Sequence, residues 1–232
     1  MKEISGLPWN DILGQLNQSG FVRVHHLLSR EECEELSSQY STASLYRNVI
    51  SMERYRFGRG EYKYFAYPLP QQIARIRTDM YPPLSRLANQ WMQALGITLS
   101  YPEKHATFLD QCHDAGQARP TPLILKYEEG GYNTLHQDLY GEIYFPFQVV
   151  ILLTAPGRDH EGGELVFVEQ LPRAQSKATV IAPHQGDAVI FTTHFRPVMG
   201  GRGWYRSKMK HGVSPVTRGT RYACGVIFHD AT

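Results

Sequence analysis

Tyr127-Glu128-Glu129-Gly130-Gly131-Tyr132-Asn133-Thr134-Leu135-His136-Gln137-Asp138-Leu139 is the stretch on which the reading of this chain turns. It leaves one short apolar run, passes a Glu-Gly-Gly turn and re-enters a second run that ends in His-x-Asp. On a β-strand, residues two apart project from one face, so His136 and Asp138 would present an imidazole and a carboxylate side by side, with Gln137 pointing the other way. With ten histidines and 22 acidic residues in the chain, about one His-x-Asp/Glu is expected by chance. The motif takes its weight from its surroundings.

Outward from that stretch, eight short runs rich in β-branched and aromatic residues succeed one another: Leu123 to Tyr127, Thr134 to Asp138, Phe145 to Thr154, Glu164 to Val168, Ala178 to Ile181, Asp187 to Thr192, Lys208 to Val213 and Arg221 to Phe228. Gly, Pro, Asp and His separate them. Regularly spaced short strands with such turn signals argue for an antiparallel barrel or a two-sheet jelly roll, and eight is the jelly-roll number. A second histidine, His211, lies in the seventh run. Two histidines and one carboxylate on one face of a metal, with the opposite positions open, suit a non-haem Fe(II) oxygenase.

Before residue 120 the pattern is helical. Trp9, Ile12, Leu13 and Leu16 have helical spacing over Trp9 to Gln18, closed by Ser19-Gly20, and a short strand follows at Phe21 to Val24. Ser29 with Glu32 forms a capping box for a helix reaching about Tyr40. Gln71 to Met80 and Pro83 to Leu95 read as two helices parted by Tyr81-Pro82-Pro83, and another lies around Glu103 to Cys112. Residues 51 to 70 interleave basic and aromatic side chains, among them Arg56 and Tyr64. They read as a long loop or irregular hairpin packing its rings on the helices, or as a surface for stacking and pairing with a single-stranded nucleic acid. The expected class is therefore α+β: a jelly roll (double-stranded β-helix) over 121 to 232 with N-terminal helices packed on one sheet. Residues 1 to 120 supply mainly helical support and a substrate region, and 1 to 232 form one domain.

Composition excludes little. A net charge of +2 and a pI near 8.4 are too mild to demand a nucleic-acid or membrane partner. Three dispersed cysteines, Cys33, Cys112 and Cys224, suit reduced thiols rather than a disulfide framework. Neither a signal peptide nor a membrane span is legible, so the expectation is a cytoplasmic protein with no membrane association.

Beyond His211, Pro215-Val216-Thr217-Arg218-Gly219-Thr220 resembles a hairpin connection. A three-residue loop with Gly219 left-handed would pair Val216 with Thr220 and set His211 opposite Gly225. Arg221 would then share the face of His211, roughly 13 Å away at about 3.3 Å per residue. A long side chain leaning back could grip the far carboxylate of an iron-chelating oxo-acid. His160, His184 and His194 are alternative third ligands, though none is followed by the Pro-Val-x-x-Gly-x-Arg context of His211.

In this order the pieces 127 to 138, Gly162-Gly163-Glu164-Leu165, Gly186-Asp187-Ala188-Val189-Ile190-Phe191 and His211 to Arg221 resemble the catalytic core of the 2-oxoglutarate- and Fe(II)-dependent oxygenases, close to the prolyl-hydroxylase type. The opening Gly20 to Ser29 resembles that superfamily's N-terminal entry. The resemblance implies that His136, Asp138 and His211 are the catalytic Fe(II) ligands, that Arg221 pairs with the C5 carboxylate of 2-oxoglutarate, and that Tyr127 adds a hydrogen bond there. Such enzymes use O2 to decarboxylate the oxo-acid to succinate while oxidising a C–H bond held nearby.

The whole-chain pattern resembles a bacterial group predicted to demethylate damaged DNA oxidatively. Arg196, Arg202, Arg206, Lys208 and Lys210 crowd the approach to His211 with no acid between Phe195 and His211, so a basic lip including Arg202, Arg206 and Lys208 could hold phosphates of single-stranded or damaged DNA. A solvated flexible loop around Gly200-Gly201 and Gly203 is the alternative. Enzymes of the AlkB type carry two arginines six apart, whereas here the position six beyond Arg221 is Ile227. That spacing keeps open a hydroxylase of a protein side chain, amino acid or other small molecule, and a jelly-roll binding module without catalysis.

Overall fold

The computed structural model describes residues 1–139 and 141–232. In chain order the elements are α1 (Trp9–Ser19), β1 (Phe21–Val24), α2 (Arg30–Ser38), β2 (Tyr46–Ser51), β3 (Gly58–Arg59), β4 (Glu61–Phe65), α3 (Gln71–Ala94), α4 (His105–Asp114), β5 (Leu123–Tyr127), β6 (Tyr132–His136), β7 (Phe147–Leu152), β8 (His160–Gly162), β9 (Leu165–Gln170), β10 (Lys177–Ile181), β11 (Ala188–Thr192), β12 (Phe195–Gly200), β13 (Gly203–Val213), β14 (Val216–Gly219) and β15 (Arg221–Ile227).

The eight runs expected to form the core correspond to β5, β6, β7, β9, β10, β11, β13 and β15. They divide equally between two antiparallel sheets. The larger has the order β1-β11-β7-β15-β5-β4-β2 and the smaller β10-β9-β13-β6-β3, with β12 paired to β13. Apart from β9 and β10, which pair with each other in the smaller sheet, successive core strands alternate between the sheets, as in a jelly roll. Along β15 the period of two settles which side chains face where: Cys224 and Val226 join the core under the helices, while Arg221, Ala223, Gly225 and Ile227 line the space between the sheets.

The helices cover the outer face of the larger sheet. Trp91 of α3 meets the Phe147 ring at 4.8 Å and donates its indole N–H to Asn17 beyond α1 residue Leu16. Burying such a ring contributes about 3 kcal/mol or more. The capping box at Ser29 forms as expected, its hydroxyl accepting from Glu32 N–H and the Glu32 carboxylate accepting from Ser29 N–H. At the start of β11, Asp187 accepts from the backbone of His26 and His184 and from Arg23, tying β1 and the following loop to the sheet. Cys33, Cys112 and Cys224 are buried free thiols, Cys33 and Cys224 pushed up to about 12 by burial. No helix among the described residues is long and apolar enough to cross a membrane.

Three expectations need correction. The two helices expected on either side of Tyr81-Pro82-Pro83 are one helix, α3, running through both prolines. Its buried side chains Ile73, Ile76, Met80, Leu84, Leu87 and Trp91 form an uninterrupted stripe, and that burial outweighs the roughly 3 kcal/mol each interior proline costs. Residues 51 to 70, expected as a long loop or irregular hairpin packing its rings on the helices, do contribute to a hairpin, but one built into a sheet. β2 and β4 form a hairpin that extends the larger sheet past β5, with Phe65 in the helical core and Tyr62 and Tyr64 turned to the inter-sheet space.

The third concerns the connection after His211. Gly219 is left-handed as expected (φ 78°), yet Val216 pairs with Gly162 rather than Thr220. β13 pairs with β6 and β9 and β15 with β5 and β7, so His211 is not opposite Gly225 and the two strands belong to different sheets.

Candidate active site

β13 and β6 pair antiparallel with His211 directly opposite His136, which sets the two imidazoles side by side, ring centroids 4.2 Å apart and planes tilted by 52°. The ladder slips by one residue between His211 and Val213. Gly212 makes that bulge feasible, since a Cβ there would lie 2.8 Å from the Asn133 carbonyl oxygen.

β6 ends at His136, so Asp138 is not on the strand as the spacing suggested but on the loop that follows. Gln137 bends that loop into place, its side-chain N–H group donating to the carbonyls of His194 (2.7 Å) and Met209 (2.8 Å). Asp138 is thereby brought to the open side of the histidine pair, one carboxylate oxygen 3.4 Å from His136 Nε2 and the other 3.3 Å from His211 Nε2. Ligand atoms of these three residues all lie within 4.8 Å of one another, and no other group of three potential ligands does so among the described residues. His160, His184 and His194 stand outside it.

The protonation pattern suits a metal. His136 Nδ1 lies 2.7 Å from the Thr134 carbonyl oxygen. A carbonyl only accepts, so Nδ1 carries a proton, and Nε2 is the nitrogen that would give its lone pair to a metal on losing its own. Burial opposes the charge on Asp138, but hydrogen bonds and charge from His136 and His211 outweigh it and hold its carboxyl well below the usual range. Burial, together with the His136 charge, holds His211 low. For His136 burial acts the same way but is outweighed by Asp138 and the Thr134 carbonyl, which leave it raised. An ionised carboxylate between two imidazole nitrogens is the donor set that Fe(II) takes with coordination positions left open.

Arg221 stands across the sandwich, beside Tyr127 in the β15–β5 ladder. It is 1% exposed, its guanidinium carbon 5.5 Å from the centroid of the Tyr127 ring. It has no ion-pair partner among the described residues, and its Nε is buried without a hydrogen-bond partner. Glu164, whose charge reaches Arg221, is itself held by the Ser214 hydroxyl. A buried guanidinium without a direct ion pair costs several kcal/mol. A carboxylate ligand would remove that cost, and 2-oxoglutarate carries one at the end away from its metal-chelating group. Burial raises the Tyr127 phenol to about 12, keeping it a donor. Beneath the Arg221 stem lies Gly163, left-handed at φ 74°, where a Cβ would sit 2.6 Å from Arg221 Cδ.

Triad, Arg221 and Tyr127 all face one cavity of about 240 Å³. Phe57, Tyr62 and Tyr64 line it from the β2–β4 region, and the Phe57 carbonyl accepts from both the N–H and the hydroxyl of Thr134, joining that region to the ligand strand. Of the expected substrate residues only Tyr64 lines this cavity. Arg206 and Lys208 alternate with the inward Ser207, Met209 and His211, so the period of two turns them to the opposite, exposed face of β13. Arg206 lies over Phe195, Arg202 occupies the exposed β12–β13 turn, and Arg56 is an exposed left-handed residue. The segment approaching His211 is thus neither a lip on the cavity nor a flexible loop but the regular hairpin β12–β13. Gln137, Gly163 and Gly212 were not singled out for these roles; only Gly163 had a signal, as part of the Gly-Gly-Glu-Leu match.

Residues 60–231 match the Oxygenase-NA family model, described as an oxygenase catalysing oxidative methylation of damaged DNA. Two uncharacterized Mycobacterium tuberculosis proteins, MT2286 of strain CDC 1551 / Oshkosh and Rv2227 of strain ATCC 25618 / H37Rv, are each 48% identical over 196 residues, 84% of this chain and 79% of theirs. At the level of fold, a Pseudomonas putida prolyl-4-hydroxylase is similar with a TM-score of 0.55 at 14% identity, over 97% of this chain and 99% of that one. An oxidoreductase of the 2OG-Fe(II) oxygenase family from Burkholderia pseudomallei gives 0.57 at 16%, over 98% and 94%. Fe(II), 2-oxoglutarate and O2 are the cofactor and cosubstrates that go with this scaffold and donor set. With its match spanning well over half its length, the chain belongs to the Oxygenase-NA family and is a 2-oxoglutarate- and Fe(II)-dependent oxygenase.

Proposed function

We propose that this oxygenase hydroxylates an alkyl carbon on a damaged nucleic-acid base, and that on an N-methyl group the resulting hemiaminal releases formaldehyde and the unmodified base. His136, Asp138 and His211 would hold the iron, and Arg221 with Tyr127 the far carboxylate of 2-oxoglutarate. Bound there, the metal, oxo-acid and O2 supply the oxidation of one C–H bond to C–OH, the oxo-acid leaving as succinate and CO2. The chain's own contribution would be to present two imidazoles and a carboxylate to the metal, neutralise the far carboxylate of the oxo-acid and line the reaction space with apolar side chains. Nothing in this chemistry donates a methyl group, so the direction on a methylated base is removal.

The observation carrying the oxygenase part is the fully buried guanidinium with no counter-ion among the described residues, facing the same cavity as the two imidazoles and the carboxylate. The base is supported by the family's description and by the flat rings of Phe57, Tyr62 and Tyr64 on one wall, which suit stacking on an extruded ring. A second reading, hydroxylation of an amino-acid side chain, is favoured by the fold likeness to a prolyl-4-hydroxylase.

Formaldehyde release from methylated single-stranded DNA, measured with succinate formation at several salt concentrations, separates the two. Formaldehyde matching succinate, with affinity falling as salt rises, is expected. Succinate stimulated by peptides or amino acids, with no formaldehyde from DNA, would refute the base reading.

A further inference from the structure

The cavity has two ends. Along β15, Arg221, Ala223, Gly225 and Ile227 face inward, and the pairings extend each into a row across the larger sheet: Tyr127 lies beside Arg221, Val150 beside Gly225, and Gln148 beside Ile227. Phe191 flanks Gln148 on its other side. The Arg221 and Gln148 rows stand six residues apart, roughly 20 Å at about 3.3 Å per residue. Phe191 of the far row packs against His211, ring centroids 4.6 Å apart.

Gln148 is the polar interruption of an apolar strand, Phe-Gln-Val-Val-Ile-Leu. It is 6% exposed, lines the cavity, and its side-chain Nε2 is buried with no hydrogen-bond partner among the described residues. Whichever way the amide is turned, a buried polar atom left unmade destabilises the fold. A leucine would complete the apolar run, so the amide serves something other than folding.

We propose that Gln148 is a specificity-determining residue that hydrogen-bonds the polar edge of the oxidised substrate. This rests on the reading of the cavity given above. With the oxo-acid anchored at the Arg221 end, the group that reaches the opposite end belongs to the other substrate. A carboxamide is neutral, planar and offers a donor beside an acceptor. It complements the amide-like edge of a nucleobase rather than a carboxylate or a phosphate, which a cation would hold.

Two apolar replacements of similar size, Gln148→Leu and Gln148→Met, test this by thermal unfolding and by steady-state kinetics on methylated single-stranded DNA. The expected result is an unfolding temperature raised by about 2 °C or more, with the KM for the oligonucleotide raised at least about tenfold while the KM for 2-oxoglutarate stays within about twofold. An unchanged oligonucleotide KM, lower unfolding temperatures or failure of both variants to fold would overturn the proposal. A wild-type enzyme that forms succinate but leaves the oligonucleotide untouched refutes the base as substrate, for this residue and for the site alike. An active wild type with indifferent variants refutes the role of Gln148 alone.

Discussion

Arg221→Met isolates the charge at the far wall of the cavity. Methionine keeps an unbranched stem over Gly163, where Arg221 Cδ now lies, and removes only the guanidinium. Truncating one partner of a buried, hydrogen-bonded charge pair costs about 2–5 kcal/mol. At 1.4 kcal/mol per factor of ten, the KM for 2-oxoglutarate should rise roughly 30-fold to several-thousand-fold. Without the cosubstrate the sign reverses, because the native chain buries a cation with no carboxylate beside it, and the apo variant should unfold at the same temperature as the wild type or higher. Succinate formation against 2-oxoglutarate concentration gives the first quantity and calorimetry of the apo-protein the second. A KM changed less than about threefold, or an apo variant that melts lower, would mean that Arg221 serves the fold and that another group holds the oxo-acid.

Gly163→Ala should act through the same arginine, since its Cβ has no room and its backbone is left-handed; denaturant titration should show a loss of about 1–3 kcal/mol, and an unaltered KM for 2-oxoglutarate would show the stem finding another path. Gln137→Ala removes both hydrogen bonds that fold the Asp138 loop onto His194 and Met209, and Mn(II) titration calorimetry should report an affinity about 10–100-fold lower; unchanged affinity would mean that the loop needs no such anchor. His105 and His229 are each pushed down to about 4, by burial first and by the Arg77 charge second. The unfolded chain, with histidines near 6.5, then binds more protons than the folded one between these values. Stability should be complete above pH 6.5 and fall towards pH 4 by up to about 1.4 kcal/mol per pH unit for each histidine, and an unfolding midpoint flat from pH 7 to 5 would refute it.

The eight core strands and β1 were legible because each announces itself through composition and turns, and β5 was read to its last residue. How they pair was not. The Pro215–Thr220 connection has the composition of a hairpin, yet β14 pairs with β8 while its neighbours β13 and β15 go to opposite sheets. Local turn chemistry cannot report a choice made by the whole packed sandwich. Asp138 shows the same limit on a smaller scale: the His-x-Asp spacing named the right group, but the carboxylate gets there by the Gln137 anchor rather than by strand alternation. The basic residues before His211 suggested a rim to the cavity because a count of charges carries no face; once β13 is a strand, alternation turns Arg206 and Lys208 away.

His211 rides on one sheet and Arg221 on the other. The span between iron and carboxylate anchor therefore crosses from wall to wall and depends on the spacing of the two sheets, about 10 Å between facing sheets. Side chains that chock the two walls apart, such as Phe167 and Leu165 of β9 against Phe191 and Val189 of β11, then act as a gauge for a ligand they need not touch. Slight swelling of the sandwich on warming would misalign the two anchors while every strand is still paired, so catalytic function should fade some degrees before the chain unfolds.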